Sequence, residues 1–297
     1  MVARTNGVGD RMGGTVDDYR MLTADVLRAA IDGDGDERVL TLDRAFQGLP
    51  DTAHGGSVLG VFDLVAGRCG RRRVEGHYLK RVPLDTGLRL RRRGDADGAR
   101  LELLERDTVL VTGRVSAAGA QDGGDAVPPG DGACPLPISR TCFACGLDNP
   151  LGLGVQLRAD DETVGGTWTP RVGFTASGAL APVALTTLLD EGAFWLGALA
   201  TGEAGMTTEL RVTLYGASAG SAITVAGARR AVRPRADDPR YLDTTLTARD
   251  AEGRLVASAT ITFVAVRGAA RRLVTGMLAV NAPEVLRAVF PAYTPPG

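Results

Sequence analysis

Apolar residues recur at helical spacing in two stretches of the chain. Between Ser57 and Gly67 they are Val58, Val61, Phe62 and Val65; between Val183 and Leu199 they are Leu185, Leu188, Leu189, Phe194 and Leu196. Each predicted helix carries one aspartate near its middle, Asp63 or Asp190. Behind each lie segments of strand character. The first set is GHYLKRVPL, TGLRLRRR, ARLELLE and TVLVTGRVS; the second is MTTELRVTLY, SAITVAGARRAV, YLDTTLTARD and RLVASATITFVAV. Alternation such as Leu88, Leu90 against Arg89, Arg91 fits half-exposed antiparallel strands, and DADG and DAEG read as hairpin turns. The order helix, then four strands, therefore occurs twice.

The division follows from this repeat. Residues 1–36 form an N-terminal extension with an amphipathic helix at 15–31, for which Thr15 is a candidate cap. The first unit is 37–116, a Gly/Pro/Asp-rich linker without periodicity spans 117–138, the second unit is 139–267, and 268–297 is a tail with a short docking helix from residue 282. The fold class is α+β, each unit a long helix against an antiparallel sheet. In a 297-residue chain with 44% hydrophobic residues, this leaves ample material for a core.

Charge removes some partners. Lys plus Arg number 34 against 35 Asp plus Glu, a net charge of −1, so no global basic field favours nucleic acid or an anionic membrane surface. No apolar run approaches the roughly 20 residues of a membrane span, and MVARTNGVGDRMGGTVDD lacks the apolar centre of a secretory signal, so a cytoplasmic protein is expected. Four scattered cysteines, Cys69, Cys134, Cys142 and Cys145, read as reduced thiols rather than a disulfide framework.

The chemistry concentrates at the start of the first helix. His54-Gly55-Gly56 sets two glycines where helix propensity disfavours them by about 1 kcal/mol each. Either the bare backbone lets another element pack closely, or the unpaired N–H groups of the helix start serve as donors to an acyl carbonyl. Cys142 and Cys145 form a CxxC, but zinc needs more ligands, only Cys134 is near in sequence and both histidines are far away, so no metal is expected.

The motifs resemble those of the hotdog-fold thioesterases, the PaaI-like acyl-CoA group. The first half carries FQG, HGG and Asp63 in that order; the second opens with CFACGLDNPLGLGV, continues with LLDEG and TTELRV, and ends with DAEGRLVASATITF. This resemblance implies two hotdog units joined as an intramolecular pseudo-dimer, with sites between the two central helices. It further implies one intact composite site: His54, Gly55 and Gly56 from the first half, Asp190 and Thr207 from the second, with Glu191 and Asp63 as substitutes for the acid; Glu191, next to Asp190, points elsewhere on a helix and is expected in solvent. The opposite site, Asp63 against Ala181-Pro182-Val183, would be degenerate, because proline has no N–H to donate.

The implied activity is hydrolysis of an acyl-CoA or acyl-carrier thioester. Coenzyme A or phosphopantetheine then enters as part of the substrate, and no separate cofactor is needed. Arg71, Arg72 and Arg73 are candidates for its phosphates, an acyl carrier protein is a candidate partner, and further self-association is open. Two alternatives stand beside it: a non-catalytic acyl-thioester binding protein, and a hotdog dehydratase or cyclase. The dehydratase would require a histidine paired with a carboxylate, which His77 in its strand does not supply.

Overall fold

The computed structural model describes residues 22–294 except 96, 120–123, 125, 177 and 219. The first half contains α1 (Thr23–Ala29), β1 (Ile31–Asp32), β2 (Glu37–Leu40), α2 (Gly55–Ala66), β3 (Arg72–Tyr78), β4 (Leu88–Asp95), β5 (Gly98–Glu105) and β6 (Thr108–Ala117). The second contains β7 (Cys134–Pro135), β8 (Arg158–Ala159), β9 (Thr163–Trp168), the small pair β10 (Thr175–Ala176) and β11 (Ala179–Leu180), and α3 (Pro182–Thr201). It continues with β12 (Gly205–Leu214), β13 (Ile223–Ala228), β14 (Arg233–Pro234), β15 (Tyr241–Arg249), β16 (Leu255–Ala265), α4 (Ala269–Met277) and α5 (Pro283–Val289).

Thirteen strands run in the order β1-β2-β4-β5-β6-β3-β12-β16-β15-β13-β9-β8-β7, and β14 adds to β15. The halves join at β3 and β12, which pair antiparallel from Glu209 opposite His77 to Leu214 opposite Arg72. One continuous sheet thus covers both central helices. Its two outermost strands are only two residues long, which leaves little edge for another chain to pair with. Among the described helices, α3 alone is long and apolar enough to cross a bilayer, and 83% of that apolar stretch is buried within the sheet.

The two helices are built alike. A 3-10 turn precedes each, and the carbonyl at its end accepts the N–H of the N-cap residue: Phe46 from His54 at 2.8 Å, Phe174 from Ala181 at 2.7 Å. Asp63 and Asp190 both stand eight positions after the first helical residue, Gly55 and Pro182. Gly67 and Gly202, both in the left-handed region, stop the helices.

α2 and α3 cross in direct backbone contact. A Cβ on Gly56 would lie 2.4 Å from Thr187 Cα, and one on Gly60 would lie 2.8 Å from Val183 Cβ. The Thr186 hydroxyl donates to the Gly56 carbonyl at 2.7 Å across the same crossing. Close packing therefore accounts for Gly56, one of the two uses that the sequence allows.

A clasp from the second half holds the approach to α2. Phe143 N–H donates to Gln47 O at 2.6 Å, Asn149 Nδ2 to Ala45 O at 2.7 Å, and Gln47 Nε2 to Thr141 Oγ1 at 2.7 Å. The Phe143 ring lies 5.1 Å from Phe46 and 6.3 Å from Phe174, tying the two 3-10 turns together. The CFACGLDNP and FQG motifs thus meet in space.

Three expectations change. Cys134 and Pro135, assigned to the linker, pair with Ala159 and Arg158 as an edge strand, because Leu136 beyond them is buried and anchors the segment. The tail holds α4 as well as the docking helix; Ala270, Val274 and Met277 bury one face of α4 in the core. The N-terminal helix is described only as Thr23–Ala29; Thr15 lies outside the described residues.

Candidate active site

Asp190 projects from α3 into the crossing and is 5% exposed. Three groups converge on its carboxylate. Thr207 Oγ1 donates to Oδ1 at 2.6 Å, Gly56 N–H to Oδ2 at 2.9 Å, and His54 Nδ1 lies 3.2 Å from Oδ2. The expected composite of His54, Gly56, Asp190 and Thr207 is therefore assembled from α2, α3 and β12 at hydrogen-bond distance.

The donor role falls differently from the expectation. Gly56 N–H is spent on Asp190 and does not face open space. Gly55 N–H has no acceptor among the described residues, and Gly55 lines the adjoining cavity. A Cβ at Gly55 would meet Asp190 Oδ2 at 2.7 Å, so only glycine admits the carboxylate here. Tyr78, which the sequence reading did not single out, donates its hydroxyl to Gly55 O at 2.6 Å and fixes this peptide. Burial, then the charge of Asp190, push its phenol well above the ordinary value and keep it protonated.

Glu191, expected in solvent, is 5% exposed and belongs to the site. Sequence adjacency suggested that it points elsewhere on the helix, but α3 is enclosed on nearly all sides. Trp195 Nε1 donates to its Oε1 at 2.8 Å, and Oε2 faces His54 Nε2 at 3.7 Å. Burial disfavours the imidazolium of His54, yet the bonds to Asp190 and Glu191 and the Asp190 charge outweigh it and raise His54 well above the usual histidine value. In that form Nδ1 donates to Asp190 and cannot also accept Gly56 N–H, whose 3.1 Å approach to Nδ1 then counts for nothing; the N–H rests on Asp190 alone.

Cys142 and Cys145 lie buried beside this pair as free thiols. A hydrogen bond from Cys145 lowers Cys142 from the ordinary thiol value despite burial, and the same bond together with burial pushes Cys145 well up. The sequence separation that argued against a histidine partner is closed by the clasp.

The cavity that these groups face has a volume of about 630 Å³ and runs between the halves. Phe194, Trp195, Met206, Val264, Leu273 and Met277 give it apolar walls, while Lys80, Arg81, Arg140, Arg235 and Arg272 also line it. Arg140, Arg235 and Arg272 are engaged by Asp148, Glu209 with Asp243, and Asp51. Lys80 and Arg81 make no ion pair among the described residues.

The opposite crossing is closed. Arg72 grips Asp63 with two hydrogen bonds, one of them from Nη2 to Oδ2 at 2.8 Å, and both side chains are largely buried. This pair raises Arg72 further and leaves Asp63 as a structural anion. Arg72 is thereby engaged, and none of Arg71, Arg72 and Arg73 lines the cavity, to which β3 contributes His77 and Tyr78. In this cluster Arg72 neutralises Asp63, while Arg71, just before β3, and Arg73, on it, are exposed.

No protein-family model matches the chain, and no curated protein sequence does either. Solved structures do. A protein from Thermobifida fusca provisionally named thioesterase II superposes with a TM-score of 0.59 at 17% identity, over 83% of this chain and 100% of its own. The acyl-CoA thioesterase II TesB2 of Mycobacterium marinum gives 0.55 at 14%, over 82% and 98%. GphF dehydratase 1 gives 0.51 at 16%, over 79% and 96%. The fold is the hotdog fold, with two hotdog units in one chain.

Proposed function

We propose that the protein hydrolyses an acyl thioester at the Asp190 site. One observation carries this reading: of two pseudo-equivalent aspartates, Asp63 is neutralised by Arg72, whereas Asp190 is held by Thr207 and the α2 N-terminus at the wall of a cavity. Asp190 takes a proton from the attacking water, the Gly55 N–H holds the carbonyl oxygen as it gains charge, and the thiolate leaves. Thr207 and His54 fix the carboxylate. The apolar walls suit an acyl chain, and Lys80 and Arg81 suit the phosphates of coenzyme A. A cytoplasmic setting agrees with four free cysteines.

Thiol release from a panel of acyl-CoA esters tests the reading. Asp190→Asn should lower kcat by roughly 10²- to 10⁴-fold. Replacing Lys80 or Arg81 singly with alanine should raise KM about tenfold or more for CoA esters with little change in kcat, the loss of a charge-assisted bond worth about 1.5–3 kcal/mol.

The pairing of His54 with Asp190 at 3.2 Å also supplies the histidine–carboxylate couple that a dehydratase requires and that the sequence did not reveal. A 3-hydroxyacyl thioester separates the two: hydrolysis frees thiol, whereas dehydration produces enoyl absorbance without it. Hydrolysis is favoured because His54 Nε2 is turned to Glu191.

A further inference from the structure

Behind Asp190 lies a second group of side chains that hydrolysis by Asp190 does not use. One donor atom each from His54, Cys142 and Glu191 lies within 4.8 Å of the other two, and all three residues are buried and line the cavity. We propose that His54, Cys142 and Glu191 form a zinc site that bridges the two halves, with a fourth position open to the cavity.

Two observations lead there independently of the thioesterase reading. The first is orientation. His54 directs Nδ1 to the Asp190 carboxylate, leaving Nε2 toward Glu191. A carboxylate on the far nitrogen is the usual support of a metal-bound imidazole, since it fixes the tautomer and turns the ring. The other two are supported likewise: Trp195 Nε1 holds Glu191 Oε1 and leaves Oε2 facing His54, and Ala144 N–H points at Cys142 Sγ at 3.3 Å.

The second is charge. Asp190 and Glu191 are adjacent buried carboxylates, and among the described residues neither is paired with arginine or lysine; His54 is the ion-pair partner of both. Buried anions need a compensating cation. A divalent ion held by neutral His54, Glu191 and the Cys142 thiolate takes the place of two protons, so the net charge is unchanged, and it puts a cation in direct contact with Glu191.

Thiolate, imidazole and carboxylate together suit zinc rather than magnesium or calcium. Ligand atoms around tetrahedral zinc stand about 3.3–3.7 Å apart, given bonds of about 2.0 Å to nitrogen and 2.3 Å to sulfur. In the observed set His54 Nε2 and Glu191 Oε2 already stand 3.7 Å apart, and the three donor atoms lie within 4.8 Å of one another. Three protein ligands leave room for water or a substrate oxygen on the cavity side.

The test uses the full chain without a polyhistidine tag. Elemental analysis after dialysis should find one zinc per chain, and cobalt in its place should show a thiolate-to-cobalt charge-transfer band. His54→Gln and Cys142→Ser should lose the metal and the band while circular dichroism stays that of the parent; Cys134→Ser, at an exposed thiol, should keep both. Cys145→Ser should also keep both. If it loses them, the fourth position belongs to Cys145 and the open site is wrong. If the parent takes up no zinc at micromolar concentrations, or Cys142→Ser binds as tightly as the parent, the site does not exist. Should a variant not fold, carbethoxylation of His54 in the parent decides the matter: zinc should shield it, and an unchanged rate overturns the proposal.

Discussion

The two aspartates show how one partner sets a carboxylate at a cavity wall apart from its buried equivalent. Asp63 and Asp190 stand at the same point of equivalent helices, and both are about 5% exposed. Arg72 saturates the first with a two-point ion pair; Thr207 and a backbone N–H hold the second and leave it at the cavity wall. Asp63→Asn should therefore leave thioester hydrolysis unchanged and act on stability instead. Arg72 would remain largely buried without its counter-charge, at a cost of about 3 kcal/mol, visible as a lower midpoint in urea. An equal loss of rate in Asp63→Asn and Asp190→Asn would show that both crossings react.

At the scale of the elements, the α2–α3 crossing has no slack. A Cβ on Gly56 meets Thr187 Cα at 2.4 Å and Thr186 O at 2.6 Å, and backbone cannot rotate aside as a side chain can. Gly56→Ala should separate the helices at a cost of about 1–3 kcal/mol, with a correspondingly lower Tm. The turn between β15 and β16 is held by charge. Burial pulls Asp250 upward, but bonds from Arg254 Nε at 2.7 Å, Arg254 N–H at 2.9 Å and Glu252 N–H at 3.1 Å hold it below the ordinary carboxylate value. A lowered folded value means stability that is present above the unfolded value and lost as pH falls through the folded one. Asp250→Asn should lower Tm at pH 7, and the difference from the parent should start to shrink below about 3.9, the unfolded value, and vanish only below the lower folded value; a difference that persists in strong acid would show that the turn does not depend on the carboxylate.

Across the whole molecule, the repeat, the central helices and most strands were legible because periodicity is local: the expected helices at 57–67 and 183–199 became Gly55–Ala66 and Pro182–Thr201. Asp190, Thr207 and His54 were legible through the motifs that carry the resemblance. What the sequence hid was set by three-dimensional proximity. Glu191 was misread because an aspartate and a glutamate side by side suggest one inside and one outside, which fails for a helix enclosed by a sheet. Cys142 lies 88 positions from His54, and only the clasp onto Gln47 and Ala45 brings them together. Arg72 was not legible as the partner of Asp63, because basic composition does not reveal which acid a strand residue will meet.

The β3–β12 junction places His54 and Asp190 on separate halves of one polypeptide, so the meeting of the two is a first-order event. Where separate subunits share such a site, dilution below their dissociation constant abolishes it; here the tether sets the effective concentration, and that does not fall with the sample. The proposed thioester hydrolysis, per molecule, should stay level as the protein is diluted from micromolar to picomolar in the presence of an inert protein such as albumin. After a protease cut between residues 117 and 133 it should acquire a concentration dependence, and the dilution that halves it would measure the affinity of one half for the other.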